Sequence, residues 1–325
     1  MRPFHRIHEG CRVPPGVLEK PFKEALAYQP LDDDIFIVTY QKSGTHWAST
    51  IVNHILQGPD ARVPPNYLEM YGPAAVNEGH RGMGLRNVIQ THLPVALIPW
   101  NPRARYVMVV RDPKDVLVSL FHHTRNIDLY QYKDGTIDHF FREFIEGRVE
   151  YGCYFRALLD YYWLSLRSPS NTLLLTYEGI HMDKSGAVRK IADFIGAKIT
   201  DQRVEEIVAE SAINKVRANC SVKYDSHSFT AQANQRMREA YTDGEGRFVP
   251  PPPIAFARKG EVGDWRNHLT EEMVKTLDAR MAEMPAGIQA LWKGCENKGT
   301  ASTPTTPTTT TTSSSTQSGS VLVEQ

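Results

Sequence analysis

Three short stretches of the chain hold residues suited to gripping an anion. Gln41 to Trp47 reads Q-K-S-G-T-H-W, between an apolar run and a helical pattern. A turn at Gly44 brings backbone N–H groups close to an anion, and the helix start behind it adds its partly positive end. Lys42, Ser43 and Thr45 add donors. This is a P-loop-like phosphate-binding loop rather than a Walker A sequence, because G-x-x-x-x-G-K-[ST] is absent and Lys42 precedes the glycine. Arg111 follows a second apolar run and precedes a helical pattern that carries Ser119, where a guanidinium suits a second phosphate held by two hydrogen bonds. The third stretch, R-K-G-E-V-G-D-W from Arg258 to Trp265, sets two cations before a glycine turn. Each stretch also has an ordinary reading: a polar turn, a surface ion pair of Arg111 with Asp112 or Asp115, and a solvated basic turn.

The elements that must position these residues alternate. Ile35 to Tyr40, Asn87 to Thr91, Tyr106 to Val110 and Thr172 to Tyr177 read as strands, most of them continuously apolar, as parallel strands covered on both faces are. Between them Trp47, Ile51 and Ile55 mark one face of a helix. Asp112 as N-cap and Pro113 in the first turn open another, with Val116, Leu117, Leu120 and Phe121 as its apolar stripe. Further helices fit Glu150 to Arg167, Asp183 to Ile195 and Thr270 to Ala286. The pattern predicts an α/β fold, a single domain over residues 1–297 with a central parallel sheet flanked by helices. In such sheets ligands sit beyond the carboxyl ends of the strands, where all three stretches would fall. The polar, aperiodic stretch from Arg217 to Ala257 reads as a lid or binding loop.

Taken together and in this order, the motifs resemble the cytosolic sulfotransferase family. The family's T-Y-P-K-S-G-T-T-W appears as T-Y-Q-K-S-G-T-H-W from Thr39 to Trp47, and its V-R-x-P-K-D-V-x-V-S as V-R-D-P-K-D-V-L-V-S from Val110 to Ser119. R-K-G-x-x-G-D-W is matched at every fixed position, K-T-H-L-P appears as Q-T-H-L-P from Gln90 to Pro94, and Thr176 to Glu178 resembles the family's Tyr-Glu segment. The resemblance runs from about Leu31 to Trp292. It implies 3′-phosphoadenosine 5′-phosphosulfate (PAPS) as sulfuryl donor and the hydroxyl or amine of a small acceptor as its target. On the matching positions, Lys42 contacts the bridging oxygen and leaving phosphate, Ser43, Gly44 and Thr45 hold that phosphate, and Trp47 stacks on adenine. Arg111, Ser119, Arg258, Lys259 and Gly260 bind the 3′-phosphate, Tyr177 reaches the base, and His92 is the general base. The chemistry is coherent: a fixed lysine offsets charge on a leaving phosphate oxygen, and an imidazole takes an acceptor proton near neutral pH. The transferred group carries less charge than a phosphoryl group, so no metal is expected.

Several positions depart from the pattern. Gln41 replaces proline, His46 replaces a threonine, and Gln90 replaces a lysine expected near the acceptor. Val222 stands where the family often has a stacking phenylalanine. The family's short dimer motif reads R-N-H-L-T-E-E-M-V-K here, with Glu271 and Lys275 reversing its character, so a homodimer is possible without the motif being kept. His54, His122 and His123 read as structural or solvent-facing, with His123 placed to border an acceptor pocket. Phe121, Tyr151 and Tyr154 suggest an aromatic lining suited to a phenol, a steroid-like alcohol or an aryl amine.

Composition narrows the alternatives. Lys plus Arg and Asp plus Glu number 37 each among 325 residues, so no global field points to nucleic acid or an anionic membrane. The start shows no apolar signal region, no stretch is apolar enough to span a bilayer, and the expected location is cytoplasmic. The four cysteines match no zinc or redox spacing and read as free thiols. A P-loop kinase would need the missing Walker A loop and a magnesium-binding aspartate. A binding protein without turnover fits poorly with Lys42 and His92 both present. Residues 298–325 are dominated by Thr and Ser and cannot offset the entropy of ordering, so they read as a disordered tail.

Overall fold

The computed structural model describes residues 2–59, 61, 66–80, 84–220, 242, 245–247 and 259–293. A short antiparallel hairpin, β1 (Arg6–His8) and β2 (Cys11–Val13), comes first and is followed by α1 (Glu19–Leu26). Then come β3 (Ile35–Thr39), α2 (Thr45–Gln57), α3 (Leu68–His80), β4 (Val88–Thr91), β5 (Arg105–Val110) and α4 (Pro113–Asn126). The chain continues through α5 (Ile137–Ile145), α6 (Tyr154–Arg167), β6 (Thr172–Thr176), α7 (Tyr177–Met182), α8 (Lys184–Ile195), α9 (Asp201–Glu210) and α10 (Ile213–Cys220). After the third motif stretch, α11 spans Glu271–Ala282.

The four central strands pair in parallel in the order β4-β3-β5-β6, with Ile35 opposite both Val88 and Arg105. Because side chains alternate across a strand, β3 and β5 feed two cores. Phe36, Val38, Tyr106, Met108 and Val110 join α4, α5 and α6 on one face, while Ile35, Ile37, Val107 and Val109 join α2, α8 and α9 on the other. Every residue of β3 is buried, which explains its unbroken apolar sequence. The expected α/β architecture with a parallel sheet flanked by helices is the one present.

Helix ends follow side-chain chemistry. Asp112 caps α4 through Lys114 N–H, Asp183 caps α8 through Gly186 N–H, and Thr270 caps α11 through Met273 N–H. The helix expected from Glu150 starts only at Tyr154. Tyr151 has φ 58° and gives its N–H to Arg12 O at 2.7 Å, so this stretch turns to meet the N-terminal hairpin instead of winding. The irregular stretch expected from Arg217 is helical in its backbone through Cys220; residues 221–241, 243, 244 and 248–258 lie outside the described residues, as does the tail read at 298–325. Among the described residues no helix is long and apolar enough to cross a membrane.

Candidate active site

The loop between β3 and α2 is shaped by two left-handed residues, Lys42 (φ 65°) and Gly44 (φ 111°). Gly44 has no substitute: a Cβ there would lie 2.8 Å from the Tyr177 ring, besides the unfavourable backbone angle. Gly44 is also the N-cap of α2 and offers no side-chain cap, so the first N–H groups of the helix are directed at the loop. Thr45 Oγ1 is tied to Thr39 Oγ1 at 2.7 Å, fixing the helix start to the strand end. Gln41 Oε1, Ser43 Oγ and Trp47 Nε1 are buried with no hydrogen-bond partner among the described residues. Buried polar atoms are normally satisfied, so three unpartnered atoms in one short stretch make it a candidate ligand site.

Arg111, at the end of β5, turns inward. Its Nη1 donates to Lys42 O at 3.3 Å and its Nη2 to Glu261 O at 2.8 Å, and its guanidinium lies 4.3 Å from the centre of the Tyr177 ring. The surface ion-pair alternative does not hold, since Arg111 is buried and Asp115, 3.7 Å away, is buried too. Its Nε also has no hydrogen-bond partner among the described residues. The stretch after residue 258 docks on the same spot: Asp115 accepts N–H groups from Gly263 and Trp265, and Tyr177 donates its hydroxyl to Gly260 O at 3.0 Å. Lys259 lines the same cavity with its ammonium bound to Asp264 at 2.6 Å, and Ser119 lines it as well. Arg258 lies outside the described residues.

His92 stands just past the end of β4. Its Nδ1 is 2.8 Å from Thr39 O, and its backbone N–H donates to Glu69 Oε1 at 2.9 Å. Burial lowers the imidazole to about 4, against the Thr39 carbonyl bond that favours the charged ring, with the Lys42 charge adding to the drop. Burial, then Lys42 and then His92, lowers His46 to about 3, and burial takes His123 well below the ordinary histidine range. All three rings are therefore neutral near neutral pH. Burial raises the Glu69 carboxyl, opposed by bonds from His92 N–H, Thr91 Oγ1 and Tyr151 Oη.

One cavity joins these parts. Gly44, Thr45, Arg111 and Ser119 line it, as do His92, Tyr67, Tyr151, Met70, Leu129, His123 and Lys42. Lys42, Gly44, Thr45, Trp47, His92, Arg111, Ser119, Tyr177, Lys259 and Gly260 all line this one cavity, and Ser43 is buried in the loop between Lys42 and Gly44. Two acceptor-side expectations change. Phe121 packs in the core against Phe140, and Tyr154 gives its hydroxyl to Arg111 O, so of the three aromatic candidates Tyr151 alone lines the cavity. Gln90 is buried on β4, donates to Ser49 Oγ at 2.8 Å and accepts from Asn66 N–H, so it bonds within the fold and is absent from the lining. Tyr67, Glu69 and the Pro14-Pro15-Gly16 segment were not read from the sequence. A charged residue inside Y-L-E-M-Y was the available signal for Glu69.

Among the described residues no group of three or more His, Cys, Asp or Glu side chains is placed to hold a metal ion. The fold is α/β, with a loop of left-handed Lys42 and Gly44 after β3 and the buried Arg111 after β5 lining one cavity. A family profile described as a sulfotransferase domain matches residues 32–247, and the chain belongs to the cytosolic sulfotransferase family. It is 31% identical over 267 residues to sulfotransferase 2B1 of Mus musculus, covering 79% of this chain and 73% of the relative. It is 29% identical over 280 residues to a 3-beta-hydroxysteroid sulfotransferase of Cavia porcellus, covering 81% and 88%. Its fold is similar to that of a mouse sulfotransferase complexed with PAP, with TM-score 0.70, 24% identity and coverage of 89% and 98%.

Proposed function

We propose that the chain moves a sulfuryl group from PAPS to the hydroxyl or amine of a small aromatic or steroid-like acceptor, with His92 as general base. The observation that carries this reading is the contact of His92 Nδ1 with the Thr39 carbonyl oxygen at 2.8 Å. A carbonyl only accepts, so Nδ1 carries the ring proton and Nε2 keeps its lone pair. Nε2 has no hydrogen-bond partner among the described residues, and His92 lines the cavity, which is the state a proton acceptor needs.

The residues present fit the donor. Ser43 Oγ, Arg111 Nε and Trp47 Nε1 are buried and unpartnered among the described residues, and a bound phosphate ester and base would satisfy them. PAPS supplies the activated sulfuryl group. Ser43, Gly44, Thr45 and the start of α2 would hold its 5′-phosphate, and Lys42 would offset charge on the leaving oxygen. Arg111, Ser119, Lys259, Gly260 and, by its motif, Arg258 would hold the 3′-phosphate. Trp47 would stack on the base, and Tyr177, edge-on to Trp47 with ring centres 5.2 Å apart, would reach it from the same side. Relatives named for hydroxysteroids support a small, largely apolar acceptor, and the Tyr67, Tyr151, Met70 and Leu129 lining suits one.

The test is calorimetry with 3′-phosphoadenosine 5′-phosphate (PAP), with and without EDTA, followed by an acceptor screen with labelled PAPS. Tight binding that EDTA leaves unchanged, with label passed to phenols or sterols, is the expected result. No binding, or binding that EDTA removes, would sink the donor assignment.

A further inference from the structure

We propose that His46 and Tyr67 form a positioning pair that holds the ring of His92 in its working orientation. The inference rests on the reading of His92 as the base, and it concerns the position where this chain departs from the family's threonine. His46 is the second residue of α2, and its Nε2 lies 3.3 Å from Tyr67 Oη, with the two rings nearly perpendicular at 84°. The Tyr67 ring in turn lies 4.9 Å from the His92 ring, tilted 34° to it. Three rings from three elements thus make one chain along the cavity wall, and all three residues line the cavity.

The backbone makes the hydroxyl contact matter. Tyr67 forms a parallel bridge with Gln90, and Gln90 N–H donates to Asn66 O at 3.0 Å, so the Tyr67 backbone is fixed to the strand that carries His92. The His46 nitrogen contacts the Tyr67 hydroxyl from the neighbouring helix and so bears on where the ring points. A threonine side chain ends at its γ atoms, two bonds short of an imidazole Nε2, and would leave the Tyr67 hydroxyl without this contact.

An imidazole has a broad, roughly two-fold rotation about Cβ–Cγ. A half-turn of His92 would exchange Nδ1 for Cδ2 and break the bond to Thr39 O, along with the tautomer it enforces. A tyrosine ring packed at 4.9 Å opposes that rotation. His46 and Tyr67 therefore act on the reaction through His92, without themselves taking the acceptor's proton.

The experiment uses full-length protein labelled with nitrogen-15 histidine, with the His92 signals assigned by loss in His92→Gln. Wild type is expected to show His92 wholly in the Nδ1–H form, and His46→Thr and Tyr67→Phe each to show a mixture of tautomers. With PAPS and a phenol, each variant should lose about 3–10-fold in kcat, the range of one net hydrogen bond. The double variant should be no slower than the slower single one, because the two residues serve one contact. Losses that multiply in the double variant would overturn the proposal, as would a His92 signal that stays wholly Nδ1–H in both variants. Full turnover in His92→Gln would defeat the base assignment instead, while the tautomer measurement would still decide the positioning claim.

Discussion

Asp115 Oδ2 accepts the Gly263 backbone N–H at 2.7 Å, across a separation of 148 residues. The same carboxylate accepts Trp265 N–H at 3.2 Å and lies 3.7 Å from Arg111, so one buried side chain fastens the last motif to the first turn of α4. Replacing it should loosen the far phosphate side without touching His92. Asp115→Ala is expected to weaken PAP binding by about tenfold or more and to cost about 1–3 kcal/mol of stability, since buried N–H groups are left unpaired. Calorimetry and a denaturant titration read both. Unchanged PAP affinity would show that the docked segment does not serve the nucleotide.

Gly44 should tolerate no side chain. With φ 111° and a Cβ position 2.8 Å from the Tyr177 ring, Gly44→Ala strains the backbone and displaces a residue that also packs on Arg111. The expected cost is about 1–3 kcal/mol, with loss of PAP binding. A variant that kept wild-type affinity would show the loop to be more adaptable than its geometry implies.

Lys42 and His92 should fail in different ways. His92→Ala is expected to lower turnover by roughly 10²–10⁴ with PAP affinity nearly unchanged, and by less for acidic phenols, which need less help losing a proton. Lys42→Ala should damage turnover for every acceptor and weaken PAP binding modestly. The comparison is kcat and Kd across phenols of graded acidity. Near-normal turnover of His92→Ala on a weakly acidic alcohol would end the general-base assignment.

Acidification should expose the neutral His92. Its folded value, about 4, lies below the ordinary unfolded value of about 6.5, so the unfolded chain binds the proton first. The contribution is present above pH 6.5 and is lost as pH falls toward 4, at on the order of 1 kcal/mol per pH unit. Glu178, raised to about 7 by burial, and Asp112, raised to about 6 by burial, act with the opposite sign, so the difference from a variant is the informative quantity. Between pH 6.5 and 4 wild type should lose more stability than His92→Gln, as read by urea midpoints at each pH. Parallel curves would mean that His92 takes up its proton at the same pH in the folded and unfolded chain. The acid limb of kcat/KM should fall near pH 4 for the same reason.

The sequence was most legible where one local pattern carries one structural consequence. Continuous apolar runs announced β3 and β5, and Asp112 with Pro113 announced α4, because covered strands and capped helices leave marks within a few residues. That Lys42, Gly44, Arg111, Lys259 and Gly260 line one cavity was legible for the same reason, since they sit in short motifs. The rest of the lining was not. Glu69 matters through His92 N–H, Thr91 and Tyr151, and Tyr151 is bent by Arg12 from the N-terminal hairpin. Such contacts join residues far apart in the chain, which no local period encodes. Gln90 was misread because its motif neighbour His92 faces the cavity, whereas Gln90, within the strand, bonds to Ser49 on α2.

The parallel order β4-β3-β5 also acts as a ruler. His92, Lys42 and Arg111 follow the ends of three adjacent strands. Neighbouring strands lie about 4.8 Å apart, so the ends that carry His92 and Arg111 stand roughly 10 Å apart whatever side chains surround them. The span between the positions of His92 and Arg111 is thus a backbone dimension, which no point substitution resets. The cavity walls that the sheet does not measure out are the start of α3, the turn after α4 and the Pro14-Pro15-Gly16 segment. On the function proposed above, a chain built this way would trade one acceptor for another through those walls while the donor end kept the same gauge.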